Sequence, residues 1–409
     1  MRNGCQSSTG SRLAPRAGRL QTTAGSAPLR SSVIECRSGQ VTVLGTTVNK
    51  VSNRLTFIDV SRAAAILFAV GDHALRHFGM MELIQGTAKY PVALLFRSAT
   101  PMFYLLFGMM IELVYLRYLS RGGWAALTAK ALQRSVQCYA CFVLVNVVGI
   151  VVRQEGTDTL VAPLTFASDG VGAVGVLRFY ALAFLLLPGI VALRAWFGRL
   201  VYPALFVAFW AVILIIIAPQ QSPVPCADAA CGRIAFLYGG AIGSAYSLIH
   251  GLTIIFLGGT LAASFSKDGL GVSRSRFLGT VTAIGAVLAS AVLFFIVTDG
   301  VAALVTGFRT NEFRYSHHYV YYGLSTATAL VLLTLFFFAQ QRLDLSRVSL
   351  LGRRSLFSFT LGGALLNVFA AFHNPILLVP FSALWLVLVS AYDQWKQARA
   401  VPREAPTNA

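Results

Sequence analysis

Apolar runs of about 20 residues follow one another along most of this chain, near 57–78, 92–116, 132–152, 176–195, 200–218, 234–263, 277–298, 318–340, 351–371 and 375–393. About 20 apolar residues is the length at which an α-helix crosses the hydrocarbon core of a bilayer. The pattern therefore predicts an all-α integral membrane protein, a single bundle of about ten transmembrane helices. The first run breaks its own pattern. "RLTFIDVSRAAAILFAVGDHALRHF", residues 54–78, places Asp59, Arg62, Asp72 and His73 inside an otherwise apolar helix.

The polar segments between runs set an orientation. Arg54, Arg117, Arg121, Lys130, Arg134, Arg194, Arg199, Lys267, Arg274, Arg276, Arg342, Arg347, Arg353, Arg354, Lys396 and Arg399 fall on one side. The other side holds fewer bases, diluted by Glu82, Glu155, Asp158, Asp169, Asp228 and Glu312. Basic loops stay in the cytoplasm, so both termini are expected there. The domain division that follows is a transmembrane domain over 51–396 between two disordered tails, 1–50 and 397–409. The first tail is rich in Ser, Gly, Ala and Arg and lacks the apolar core of a secretory signal. A start codon placed too far upstream, or an organelle transit peptide, would give it the same composition. The two halves of the chain share no repeat.

Composition removes other classes. With 56% hydrophobic and 12% charged residues and a mean hydropathy of +0.69, the chain is too apolar for a soluble domain. Its formal charge of +18 would suit nucleic acid, but the bases cluster between membrane runs, where they serve topology; no nucleic-acid partner is expected. Cys138 and Cys141 lack a second ligand pair nearby, so helix packing is expected of them rather than metal binding. Cys226 and Cys231, five residues apart in a loop, are able to form a disulfide if that loop meets an oxidising compartment.

The polar positions of the first run form a stripe. At about 100° per residue, Asp59 to Arg62 turns about 300°, and Arg62 to His73 ends about 20° beyond three full turns. The rise from Arg62 to His73 is about 16 Å, which carries a cytoplasmic arginine's stripe past the middle of a core about 30 Å thick. A charge at the centre of a membrane helix costs on the order of 3 kcal/mol, so such groups face a cavity or a partner. A surface pair of Asp59 with Arg62 and a core histidine is the plainer alternative.

"RLTFIDVSRAAAILFAVGDH" resembles the first helix of the membrane acyltransferase superfamily (acyltransferase family 3), in which an Asp precedes an Arg by three residues and a His follows after ten more. The Asp72-His73 ending is closest to the OpgC branch, which acylates periplasmic glucans. Ala63 stands where that family usually has Gly. "SATPMFYLLFGMMIELVYLRYLSRGG", "ALQRSVQCYACFVL", "VLRFYALAFLLLPGIVAL" and "LLGRRSLFSFTLGGALLN" are similar, less specifically, to its later spans. In the last of these, Phe359 and Gly362 or Gly363 replace a Tyr and a second His.

The resemblance implies an O-acyltransferase in the cell inner membrane that moves an acyl group, succinyl or acetyl, from cytoplasmic acyl-CoA to a glycan at the outer face. It implies His73 as the catalytic base, with Asp59 and Arg62 in the same motif, and no metal. Imidazole suits the role because it titrates near neutral pH. Asp72 points about 100° away from His73 along the helix, so an orienting partner for His73 is expected from another helix. Acyl-CoA is polyanionic, and guanidinium groups bind phosphates; Arg62, Arg54, Arg134, Arg353 and Arg354 are the candidates. For the acceptor, Arg97, Arg178 and Tyr180 lie in or near spans. "NEFRYSHHYVYYG" adds His317 and His318 among aromatic rings suited to sugar faces, although an interfacial aromatic belt has the same composition. The rival class is a secondary transporter or flippase for a sugar or anionic substrate, in which His73 would relay protons. Transfer to an amino-sugar nitrogen is a variant within the enzyme class.

Overall fold

The computed structural model describes residues 55–83, 89–154, 174–217, 229–239, 246–267, 271–310, 312–345, 347–370 and 374–400, together with 41–43, 46–48 and isolated positions within 156–165 and at 372. The chain divides into two units, Met1–Asn53 and Arg54–Ala409. In the first, β1 (Val41–Val43) pairs antiparallel with β2 (Thr46–Val48); the rest of the predicted N-terminal tail lies outside the described residues.

The second unit is helical apart from one hairpin of two-residue strands, β3 (Ser266–Lys267) and β4 (Gly271–Val272). Its labelled helices are α1 (Thr56–His77), α2 (Lys89–Arg97), α3 (Ala99–Met110), α4 (Leu116–Arg153), α5 (Gly175–Phe197), α6 (Val201–Val212) and α7 (Ala229–Tyr238). They continue as α8 (Leu248–Phe265), α9 (Arg274–Arg309), α10 (Glu312–Tyr315), α11 (Tyr319–Ala339), α12 (Leu350–Arg353), α13 (Ser355–Ala370) and α14 (Leu378–Ala400). Because α14 continues to Ala400, helix extends four residues into the tail predicted from 397.

Among the described residues six helices are long and apolar enough to cross a membrane: Pro91–Arg153, α5, α8, α9, α11 and Pro375–Arg399. Three facts separate this six from the ten apolar runs. The second and third runs fall within Pro91–Arg153, which turns at Gly123, where φ is 71°. Two more form the shorter apolar helices Val201–Ile217 and Ser355–Phe369. The first, α1, carries four charges. Outward faces are apolar, as lipid contact requires: Phe294 and Val297 on α9 and Val379 on α14 are all exposed.

α1 packs against α2, α3, α11, α12 and α13, so its stripe faces protein. An orphan donor of its first turn finds its acceptor outside the helix, since the Phe57 N–H donates to Gln340 Oε1 at 2.9 Å. The four charges form two local ion pairs, Arg62 with Asp59 at 3.3 Å and Arg76 with Asp72 at 3.0 Å. Nine uncharged residues, Ala63–Gly71, separate them. Pairing at i,i+3 and i,i+4 puts charge at the two ends of the helix and leaves its middle apolar.

The most extensive helix pairing is α3 on α8. It depends on reciprocal close approach: a Cβ on Gly108 would collide with the Ile255 carbonyl, and one on Gly258 with the Leu105 carbonyl. Small residues at crossings let membrane helices approach to backbone contact. Gly108→Ala is expected to cost on the order of 1–3 kcal/mol through overpacking, measured as earlier loss of the monodisperse species when the detergent-solubilised protein is heated.

Candidate functional site

At the C-terminal end of α1, Asp72 and His73 line a small open cleft. Arg97 closes α2 at this cleft and Thr100 opens α3 beside it; Arg314 of α10, Tyr321 of α11 and Tyr246 before α8 complete its polar lining. Ala69, Phe96, Phe103, Val176 and Phe359 form the apolar walls. This combination, an apolar slot with a few convergent polar groups, is what binding sites for small substrates share.

His73 is half-buried, and among the described residues its imidazole makes no hydrogen bond. The orienting partner expected from another helix is therefore not among them. Asp72, next in sequence, points to other groups: Arg76 Nε at 3.0 Å and Arg314 Nη1 at 4.0 Å. Arg97 is buried and donates from Nη1 to the Phe308 carbonyl at 2.9 Å.

The other end of α1 holds Arg62 and Asp59. Arg62 and Arg134 both lie within electrostatic range of the Tyr115 hydroxyl, and Arg62 also of the Tyr180 hydroxyl. α12 rests directly on this end, because a Cβ on Gly352 would collide with the Asp59 carbonyl and approach the Ala63 nitrogen to 3.1 Å. Here the close approach comes from Gly352, with Ala63 on the facing helix. Arg353 and Arg354, which follow, pair with Asp393 of α14 at 3.6 and 2.7 Å. Four of the five arginines proposed for the donor thus sit on helices around the start of α1; Arg54 lies outside the described residues.

The remaining acceptor candidates sit elsewhere. Arg178 is fully buried, its guanidinium 4.3 Å from the centre of the Phe236 ring and 5.9 Å from that of Phe142. Aromatic enclosure of this kind stabilises a desolvated cation. Tyr180 donates its hydroxyl to the Phe103 carbonyl at 2.7 Å, and Phe103 lines the cleft; the tyrosine acts on the cleft wall. His317 is buried with φ 56°, bonded through Nδ1 to the Tyr322 hydroxyl at 2.9 Å. His318 caps α11, accepting from the Val320 N–H at 3.3 Å. Burial pushes the His318 ring down to about 4, so the neutral form that can accept this bond is the one present at neutral pH.

Reasoning from sequence did not select Tyr246, and it reached Arg314 and Tyr321 only as members of a segment suited to sugar recognition. Arg314 and Tyr321 sit in the "NEFRYSHHYVYYG" segment, where the adjacent histidines carry the stronger sequence signal; nothing local singles out Tyr246. Glu112 is buried in the π-helical turn Ile111–Tyr115, in a bidentate pair with Arg194 at 2.9 and 2.7 Å. Cys231 in α7 is disulfide-bonded, while Cys138 and Cys141 are free thiols. Among the described residues no three His, Cys, Asp or Glu side chains come together as a metal site would need. Nor is there room for the family's second histidine at Gly362 or Gly363, where a Cβ would stand 2.9 Å from Val70 and 2.6 Å from Val174.

No curated protein matches the chain. Residues 54–163, which run from the entry of α1 to beyond α4 and supply His73, Arg97, Arg62 and Arg134, match the family model described as OpgC protein, and over this stretch the chain is OpgC-like.

Proposed function

We propose that this protein is an inner-membrane O-acyltransferase. It takes succinyl or acetyl from cytoplasmic acyl-CoA and places it on a glycan hydroxyl at the extracytoplasmic face. The observation that carries this reading is His73: an imidazole that hydrogen-bonds to no described residue, in a cleft beside two guanidinium groups, on the helix where the OpgC-like stretch begins. Acyl transfer to a hydroxyl needs a base for the departing proton and donors for the developing oxyanion. An uncommitted imidazole beside arginines offers both.

The two ends of α1 divide the work. Arg62, Arg134, Arg353 and Arg354, with Arg54, bind the phosphates of acyl-CoA at the cytoplasmic end. The thioester reaches about 16 Å along α1 to His73, where the acceptor enters from the opposite side. This division requires about ten crossings with both termini in the cytoplasm: α1, two in Pro91–Arg153, the shorter Val201–Ile217 and Ser355–Phe369, and the five other long helices. The distribution of basic loops favours that topology, and a disulfide at Cys231 suits an extracytoplasmic α7.

The test is transfer of label from a panel of radioactive acyl-CoAs to extracted envelope glycans, in membranes with and without the protein. Label in the glycan fraction from one donor, dependent on the protein, is expected. If no donor labels the glycan and the same membranes show proton-dependent uptake of a sugar or anion, the transporter reading replaces this one.

A further inference from the structure

Two arginines line the cleft, and they are not equivalent. Arg97 is engaged: Nη1 donates to the Phe308 carbonyl at 2.9 Å, and the guanidinium lies 5.8 Å from the Phe308 ring centre. Arg314 has 18% of its side chain exposed and approaches Asp72 only to 4.0 Å. Its guanidinium hydrogen-bonds to no described residue. A guanidinium carries five N–H donors in a fixed fork and stays charged at any physiological pH. In Arg314 these donors are uncommitted, in the cleft that holds the uncommitted His73.

The segment carrying Arg314 is pinned at both ends. Before it, Phe308 is held by Arg97. After it, the His317 ring bonds Tyr322 and stands 5.8 Å from His250, and the Gly239 backbone leaves room for only a hydrogen against the His317 Cβ. Backbone bonds from His317 N to Arg314 O at 3.4 Å and from His318 N to Phe313 O at 2.9 Å close the turn. The guanidinium is thus delivered by a fixed turn, with Asp72 as the charge it leans toward.

Resting on the acyl-transfer reading above, we infer that Arg314 is the oxyanion-binding residue of the reaction and that Asp72 is its positioning residue. As the acceptor oxygen bonds to the thioester carbon, its proton passes to His73 and the carbonyl π pair moves onto the carbonyl oxygen, where Arg314 N–H groups donate to it. Collapse re-forms the carbonyl and breaks the carbon–sulfur bond; the thiolate leaves with the proton from His73, giving an ester and a free thiol. Arg314 meets charge that exists only in the transition state, so its loss should act on kcat rather than on KM.

The experiment measures kcat and KM for acyl-CoA with Arg314→Ala, Arg314→Gln, Asp72→Asn, the Asp72→Asn/Arg314→Ala double variant and His73→Ala, each at equal folded protein. Loss of one oxyanion donor lowers kcat about 10²–10³-fold, and that fall is expected for both Arg314 variants, with KM within a few-fold of wild type. Added methylguanidinium is expected to restore part of the rate to Arg314→Ala and none to His73→Ala. Asp72→Asn should lose less than Arg314→Ala, and the double variant no more than Arg314→Ala alone. Wild-type kcat in Arg314→Gln overturns the inference, as does a loss confined to KM. Should Arg314→Ala fail to fold, the kcat of the near-isosteric Arg314→Gln decides. If wild type itself transfers no acyl group from any acyl-CoA, the acyl-transfer reading fails; if wild type transfers, His73→Ala is dead and both Arg314 variants are active, only the oxyanion assignment fails.

Discussion

Replacing His73 with alanine or glutamine is expected to reduce acyl transfer about 10²–10⁴-fold, the range that positioned acid–base groups contribute, while the solubilised protein melts as wild type does. At about 1.36 kcal/mol per tenfold change, this is about 3–5 kcal/mol of lost transition-state stabilisation. The separation of activity from stability follows from where His73 sits. It is half-buried, lines the cleft and hydrogen-bonds to no described residue, so no internal bond breaks when it is removed. Glutamine fills most of the space and can donate and accept hydrogen bonds, but it cannot take up a proton near neutral pH. Transfer in His73→Gln above a tenth of the wild-type rate, at equal protein level, would exclude His73 as the base. Equal rates combined with a lowered melting temperature would make it a packing residue.

α1 was legible because its information is local. Its charges lie at i,i+3 and i,i+4 and its histidine three turns from Arg62, and helix geometry alone converts such spacings into ion pairs and a shared face. The apolar runs were legible for the same reason. The partners that complete the cleft were not. Arg314 reaches Asp72 from a turn between distant helices, and no periodicity in the sequence encodes which loop a bundle folds over its first helix. The segment 311–323 shows the limit from the other direction. Aromatic and histidine side chains suit a sugar site, but the same residues also build a buried stack: the His317 ring bonds the Tyr322 hydroxyl and His318 caps α11, while Tyr321 of the same segment lines the cleft. Arg178 was ambiguous in the same way: a lone arginine at a span entrance reads identically whether it awaits a substrate or is enclosed by Phe236 and Phe142. Gly352 gave no signal at all, since close approach to the Asp59 carbonyl is a property of two helices together.

The largest effect on stability is expected at Glu112. Glu112 and Arg194 form a two-bond pair at 2.9 and 2.7 Å, with only 6% and 13% of their side chains exposed. The π-helical turn that carries Glu112 is joined by this pair to the last turn of α5, 82 positions later in the chain. Glu112→Ala leaves a guanidinium buried among helices with no counter-charge, and breaking a buried pair from one side costs about 3–5 kcal/mol. Arg194→Met strands the carboxylate and should cost a similar amount. The double variant Glu112→Leu/Arg194→Met removes both charges and replaces them with apolar groups of comparable bulk, a change that is often neutral or stabilising. Each single variant should therefore lose most of its monodisperse, heat-resistant fraction in detergent, and the double should regain much of it. The cycle of four proteins yields the coupling directly. If the double variant is as unstable as Glu112→Ala, the ion pair is not what holds the end of α5 to the π turn, and the cost lies in the π turn itself. Recovery in the double would instead identify Arg194 as a structural cation, leaving the guanidinium groups around Arg62 to bind the anionic donor.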